Sequence, residues 1–296
     1  MNNEFELPLR PLKPSGNLPG AQPSIVADLS YLKPTAERPY SYAYEPPHGV
    51  PWENCEYELR PTPIADARGV RQYLSIDAEG FELRDAPTAV KNFLNEDAVK
   101  TAYYAEAAEL ALAVTGAKEA YVFDHLVRQR ERDRSPLSFG RRGTNGLAAA
   151  NGRIHNDYTE ASGQKRLGRV LGTAEAAARV QRFAILNVWR SIKGPVLDTP
   201  LAVCDARTLT IMDLVTSEVR YPNRTGEIYF ATHSSRHRWS YFSKMDRHEA
   251  LVFKQYDSQV SGVARFTLHA AFDHPDTPPD APLRESIELR CLVIYE

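Results

Sequence analysis

The stretch G-R-I-H-N-D-Y-T-E, Gly152 to Glu160, holds two residues whose types and spacing suit a metal. His155 and Asp157 are two positions apart, so on an extended chain both side chains leave the same face. One imidazole and one carboxylate give a metal two neighbouring ligands. A His from a distant strand would complete a facial triad, which leaves positions open on non-haem Fe(II) for a co-substrate and oxygen. The triplet alone carries little weight. With 8 His and 38 Asp plus Glu in 296 residues, about one His-x-acid triplet arises by chance, and His274-Pro275-Asp276 is another.

Five His follow the motif. His233 and His237 fall in the polar turn A-T-H-S-S-R-H-R-W, where both are expected at the surface. His248 in M-D-R-H-E-A is expected to face solvent, and His274 sits in a Pro-rich loop. His269, in R-F-T-L-H-A-A-F, has apolar neighbours on both sides. It is either a hydrogen-bonded core residue or the third ligand.

Fifteen residues later comes R-E-S-I-E-L-R, where Arg284 and Ser286 again share a face. An Arg fork grips a carboxylate through two parallel hydrogen bonds, and a Ser hydroxyl adds a third. A 2-oxo acid that binds iron through its keto and C1 carboxylate groups leaves a far carboxylate in need of such a clamp. Arg290 is a fallback for that role. Along this strand Arg284, Ser286, Glu288 and Arg290 form one polar face, turned to a cavity or to solvent. Ile287, Leu289, Cys291 and Val293 form the apolar one. Asn187 and Tyr256 are further cofactor-side candidates. Trp189, Arg190 and Lys254 are substrate-side candidates, from N-V-W-R and F-K-Q-Y.

Positioning these residues requires strands. From Phe183 onward the chain reads as short strands at close spacing with few helices between them. That favours an antiparallel sandwich or barrel of jelly-roll type over a βαβ sheet. The runs include F-A-I-L-N-V-W-R-S-I, E-A-L-V-F-K-Q-Y and S-I-E-L-R-C-L-V-I-Y. Earlier, Asn95 caps a helix that carries Glu96 and Asp97 in its first turn and ends at Gly116. Ala120 to Val127 reads as a buried strand, and Thr173 to Arg182 as a short helix. Glu56 to Leu83 reads as strands and turns, with D-A-R-G-V counted as strand. Residues 1–50, rich in Pro and Tyr, read as an arm wrapping the surface. Residues 128–153 read as a long polar connection, a solvated loop or a lid. The expected organisation is one domain over 1–296. Residues 1–120 supply the arm, strands and helix, and 121–296 the jelly-roll core.

Bulk properties exclude several classes. A net charge of −2 favours neither nucleic acid nor an anionic membrane, and no apolar run reaches membrane-spanning length. Cys55, Cys204 and Cys291 form no CxxC pair and leave an odd thiol, which suits a reducing cytoplasm. The N-terminus reads as no secretory signal. No G-x-S-x-G elbow supports an acyl-transfer hydrolase. A small-molecule substrate and a monomer or homodimer are expected.

A co-linear string of motifs over most of the chain resembles a known family. It runs through A-D-L-S-Y-L-K-P-T, S-I-D-A-E-G-F, V-F-D-H-L-V-R, H-N-D, N-V-W-R-S-I, L-A-V-C-D-A-R-T-L, R-F-T-L-H-A-A-F-D and R-E-S-I-E-L-R. It is similar to the Fe(II)/2-oxoglutarate-dependent oxygenase-like proteins of secondary metabolism, typified by cephalosporin 7α-methoxylation proteins and fungal hydroxylase/desaturases. The resemblance implies a mainly β fold with flanking helices around a double-stranded β-helix (jelly-roll, cupin-like) core. It implies iron on His155, Asp157 and His269, 2-oxoglutarate on Arg284 with Ser286, and O2 as co-substrate. It implies hydroxylation, desaturation or oxidative ring formation on a small metabolite. His125 in V-F-D-H matches a family position and reads as structural or substrate-side. Two alternatives stay open at this stage: an iron oxidase of the same fold that does not use 2-oxoglutarate, and a non-catalytic jelly-roll binding protein.

Overall fold

A computed structural model describes residues 22–131 and 147–296. In chain order the strands are β1 Ser24–Leu32, β2 Tyr40–Tyr42, β3 Tyr57–Asp66, β4 Phe81–Asp85, β5 Glu119–Gln129, β6 Ala148–Ala149, β7 His155–Asn156 and β8 Phe183–Ser191. They continue with β9 Leu201–Cys204, β10 Leu214–Tyr221, β11 Arg224–Ala231, β12 Trp239–Tyr241, β13 Glu249–Asp257, β14 His269–Ala271 and β15 Glu285–Ile294. The helices are α1 Glu96–Ala98, α2 Tyr104–Thr115, α3 Glu160–Leu171 and α4 Ala174–Ala178, with a π-turn segment Val99–Tyr103 joining the first two.

The strands form two sheets. One has the order β1-β3-β12-β9-β14-β7-β11-β10-β2, the other β4-β13-β8-β15-β5-β6. They face each other across a core in which Phe81, Trp189, Leu251 and Phe253 of the second sheet meet Leu201 and Val203 of the first. This is the double-stranded β-helix expected from the sequence.

The second sheet is covered on both sides, and all nine residues of β8 and of β13 are buried. Its outer face packs under the helical segment: Leu186, Val188, Val252, Ile287, Leu289 and Val293 meet Val99, Tyr103, Ala107 and Leu110. The apolar alternation of β15 is therefore the face turned to the helix. Its polar alternation, Arg284-Ser286-Glu288-Arg290, is turned into the barrel, where Ser286 is 1% and Glu288 5% exposed. The helix begins and ends as its sequence indicates. The Asn95 side chain accepts from the Ala98 N–H, and Gly116 closes α2 with φ of 70°.

Four expectations are corrected. The segment after residue 22 is no surface arm. β1 is an edge strand of the first sheet, paired along its whole length with β3, and Leu29, Tyr31 and Leu32 are buried. D-A-R-G-V is a 3-10 turn, because the Asp66 carboxylate accepts from the Arg68 N–H and caps it. β5 is half-exposed, since only β6 lies beyond it in the sheet. A helix absent from the sequence reading, α3, follows the H-N-D motif directly. Thr159 and Ser162 cap its first turn reciprocally, hydroxyl to N–H in each direction. Of the loop expected over 128–153, residues 132–146 lie outside the described residues, while 128–129 close β5 and 148–149 form β6.

Candidate metal centre

β7 is only two residues long, yet it is pinned from both sides. His155 lies directly opposite His269 of β14 and also pairs with Phe230 of β11. Asn156, between the two candidate ligands, points the other way. Its amide donates to the carbonyls of Tyr158 and Gln255, and its oxygen accepts from the Thr267 N–H. Three segments are thereby tied behind the site, and His155 and Asp157 are turned to the same side.

The cross-strand register brings the two imidazoles together, with ring centroids 4.2 Å apart. Each ring has its Nδ1 committed to a backbone carbonyl two residues upstream: His155 to Arg153 at 2.8 Å, His269 to Thr267 at 3.3 Å. A carbonyl only accepts, so Nδ1 carries the proton and Nε2 keeps a lone pair for a metal. His155 Nε2 lies 3.4 Å from Asp157 Oδ1. One ligand atom from each of His155, Asp157 and His269 lies within 4.8 Å of the other two. Two imidazoles and a carboxylate on one side of a point form the donor set suited to Fe(II) with open positions, so the residues present fit the metal.

The other carboxylate oxygen is held by the protein. Asp157 Oδ2 accepts from Asn187 Nδ2 and from Arg290 Nε, both at 2.9 Å, and the Asp157 N–H donates to Gln255 Oε1 at 2.7 Å. Burial raises the Asp157 pKa, but the Arg290 guanidinium and both imidazoles outweigh it, so the carboxyl stays well below its usual range. Burial, reinforced by His155, brings His269 down to about 3, which keeps it neutral. A metal therefore meets an ionised carboxylate and an imidazole with no proton to displace.

Deeper in the barrel, Arg284 is 3% exposed and its guanidinium lies 5.7 Å from the Trp189 ring. Nη1 donates to the Thr199 carbonyl, but among the described residues the buried Nε has no partner, and neither does the buried Ser286 hydroxyl. Burial and the nearby Arg128 pull Arg284 down to about 10. Two unpartnered buried donors beside a destabilised cation form a cradle that an anion would complete. They fit the far carboxylate of a 2-oxo acid.

The remaining candidates divide by strand parity. Asn187 and Trp189 face the barrel interior. Arg190, one residue on, faces out and is used by the Tyr103 hydroxyl and the carbonyls of Ala86 and Arg247. Lys254 is enclosed by Asp77 and Asp257 at 2.6 and 2.8 Å. Tyr256 donates to Glu160 and packs on α3. None of these three is brought to the triad. Arg290 is no free clamp, because Asp157, Asp124 and Glu288 already use it. His125 is bonded to the Tyr104 hydroxyl of α2. His237 is buried against Tyr31 and Asp213, not at the surface. Sequence reasoning missed Gln255 and Arg128, and it placed Glu288 on the polar face of β15 without giving it a role. Arg128 was legible as a polar residue on β5.

Residues 29–294 match a family model described as an oxidoreductase/YMDC permease-like domain. No described helix is long and apolar enough to cross a membrane. The chain is 31% identical to the hydroxylase/desaturase efuI of Hormonema carpetanum, over 93% of this chain and 96% of that protein. It is equally similar, at 31%, to the Fe(II)/2-oxoglutarate-dependent dioxygenase nvfI of Aspergillus novofumigatus, over 93% and 98% of the two chains. The solved structure of the iron and alpha-ketoglutarate-dependent endoperoxidase NvfI superposes with a TM-score of 0.79 at 28% identity, covering 92% of this chain and 98% of that one.

Proposed function

The chain belongs to the oxidoreductase family of fungal hydroxylase/desaturases and Fe(II)/2-oxoglutarate-dependent dioxygenases, and on that premise we propose how its residues divide the work. His155, Asp157 and His269 hold the iron. Arg284 and Ser286 hold the far carboxylate of 2-oxoglutarate. The substrate is a small secondary metabolite, oxidised at a C–H bond by hydroxylation, desaturation or oxidative ring formation. The observation that carries this reading is the pair of Nδ1–H bonds to backbone carbonyls, which puts the proton of each ring on Nδ1 and its lone pair on Nε2, with Asp157 ionised beside them.

Bound iron and 2-oxoglutarate supply the activation of O2, with 2-oxoglutarate leaving as succinate and carbon dioxide. This chain's residues position and insulate them. Asn187 and Arg290 fix the Asp157 carboxylate through Oδ2, leaving Oδ1 on the side of the imidazoles. The Phe253 ring, fully buried, packs 4.8 Å from the buried His269 imidazole. Trp189 backs the Arg284 guanidinium. The three free cysteines support a reducing cytoplasm. Action as one domain over 1–296, as a monomer or homodimer, is part of the same proposal.

The test is succinate release from 2-oxoglutarate by the Fe(II)-loaded protein, run beside His155→Ala. Substitution of a ligand is expected to abolish release and to weaken Fe(II) binding at least tenfold in an anaerobic titration. Equal iron affinity in both proteins would sink the assignment of the ligands.

A further inference from the structure

We propose that the substrate is an organic anion, and that Lys165, Arg169 and Arg224 hold its charged group at the mouth of the cavity that opens on His155 and Asp157. The inference rests on the iron-site reading above, which makes the inner end of this cavity the reacting end.

The cavity has a volume of about 350 Å³, within the usual range for a small-molecule site. Its walls are the inner face of β5 and β15, α3, and the β10–β11 hairpin. His155 and Asp157 lie deep, with side chains 4% and 9% exposed. Lys165, Arg169 and Arg224 are exposed at the other end.

The charge of the lining is unbalanced. Its three acids are already satisfied. Asp157 and Asp124 are bonded to Arg290, and Glu227 is bonded to Arg38 and to the Thr159 hydroxyl. Lys165, Arg166, Arg169 and Arg224 have no acidic partner among the described residues. The Arg166 guanidinium lies over the Phe123 ring at 4.6 Å, and that of Arg224 over the Tyr221 ring at 3.8 Å, so two of the four are placed by a cation–π contact. This surplus sits on a chain whose net charge is −2.

Among the described residues no ion pair accounts for the cluster. Lys165 and Arg169 are one turn apart on α3 and repel. Arg169, in the last turn, gains from the helix dipole, but Lys165 and Arg224 do not. The exposed cations hold a charge in place while the inner end presents the reacting carbon to the metal. Anchoring at one end and reaction at the other restricts which C–H bond is attacked.

The probes are 2-naphthylacetate, 2-naphthyl phosphate and the neutral 2-naphthylethanol, titrated anaerobically into the Fe(II)-loaded protein with 2-oxoglutarate saturating. Wild type is expected to bind at least one anion about tenfold tighter than the alcohol, with the preference shrinking as salt is added. The tighter of the two anions identifies a carboxylic acid or a phosphate ester as the natural class. Lys165→Gln with Arg169→Gln, checked for folding by its thermal melt, is expected to erase the preference while leaving the alcohol's affinity unchanged. Equal binding of anions and alcohol, failure of both anions to bind at millimolar concentration, or a preference that survives the double variant would each overturn the inference. Failure of the iron-site reading is separately visible, as loss of Fe(II)-dependent succinate release in wild type.

Discussion

Arg284→Gln separates a residue kept for its ligand from one kept for the fold. Burial and the nearby Arg128 lower the Arg284 pKa from about 12.5 to about 10. At neutral pH the cation is therefore held at a cost, which corresponds to roughly 3 kcal/mol. Among the described residues, what the fold recovers from the side chain is one hydrogen bond, Nη1 to the Thr199 carbonyl, worth about 1 kcal/mol, and a contact with the Trp189 ring. The Asp198 carboxylate accepts from the Arg284 backbone N–H, which the substitution keeps. The ligand-free variant is thus expected to be as stable as wild type or up to about 2 kcal/mol more stable. Binding moves the other way. Losing a bidentate, charge-assisted pair costs about 3 kcal/mol, so KM for 2-oxoglutarate rises roughly a hundredfold. Arg284→Lys keeps the charge without the fork and falls between the two. The assays are thermal melts with and without 2-oxoglutarate, and succinate release. At a hundred times Kd the ligand stabilises wild type by about 2.7 kcal/mol, and the variant should show almost none of this at the same concentration. A variant that melts several degrees lower without ligand yet keeps its KM within twofold would refute the reasoning.

Three further predictions concern the surroundings of the triad. Arg290→Met leaves Asp157 and Glu288 buried without their cation, and is expected to cost about 3–5 kcal/mol in urea unfolding and to weaken Fe(II) binding. His269 is held near 3 against an ordinary 6.5, so its neutral form contributes stability fully above pH 6.5 and loses it as pH falls toward 3. The iron-free chain should lose up to about 1.4 kcal/mol per pH unit in that window, and His269→Gln should flatten the slope. Gly163→Ala would gain up to about 1 kcal/mol in helix propensity, but the new Cβ meets the buried Tyr256 ring at 2.7 Å. A net loss of about 1–2 kcal/mol is expected in the melt, and a gain would mean that α3 is not seated as described.

The pattern of what the sequence disclosed follows from strand geometry. Period-two alternation is strong along β15, where Ile287, Leu289 and Val293 go under the helix and Arg284, Ser286 and Glu288 go into the barrel. The set was legible because His155 and His269 stand on paired strands, and Asp157 and Arg284 directly adjoin the ends of β7 and β15. Lys254 and Tyr256 were candidates from F-K-Q-Y, but β13 carries a register shift between them. That shift turns Gln255 toward Asp157, and a bulge leaves no mark in residue types. Arg190 fails for a simpler reason: it adjoins Trp189, and neighbours on a strand face opposite ways. α3 was hidden because its cap, Thr159 with Ser162, uses two small polar residues where the familiar signal has Glu or Gln. His237 and β1 were misread as surface because polar and Pro-rich neighbours mask a residue buried by distant strands.

The most direct test of the central claim is anomalous diffraction from crystals grown with Mn(II) and 2-oxoglutarate without oxygen. The account predicts a single strong metal peak bonded to His155 Nε2, His269 Nε2 and Asp157 Oδ1, with the far carboxylate of 2-oxoglutarate on Arg284. A metal bound elsewhere, or a 2-oxoglutarate whose far carboxylate turns away from Arg284, would contradict it.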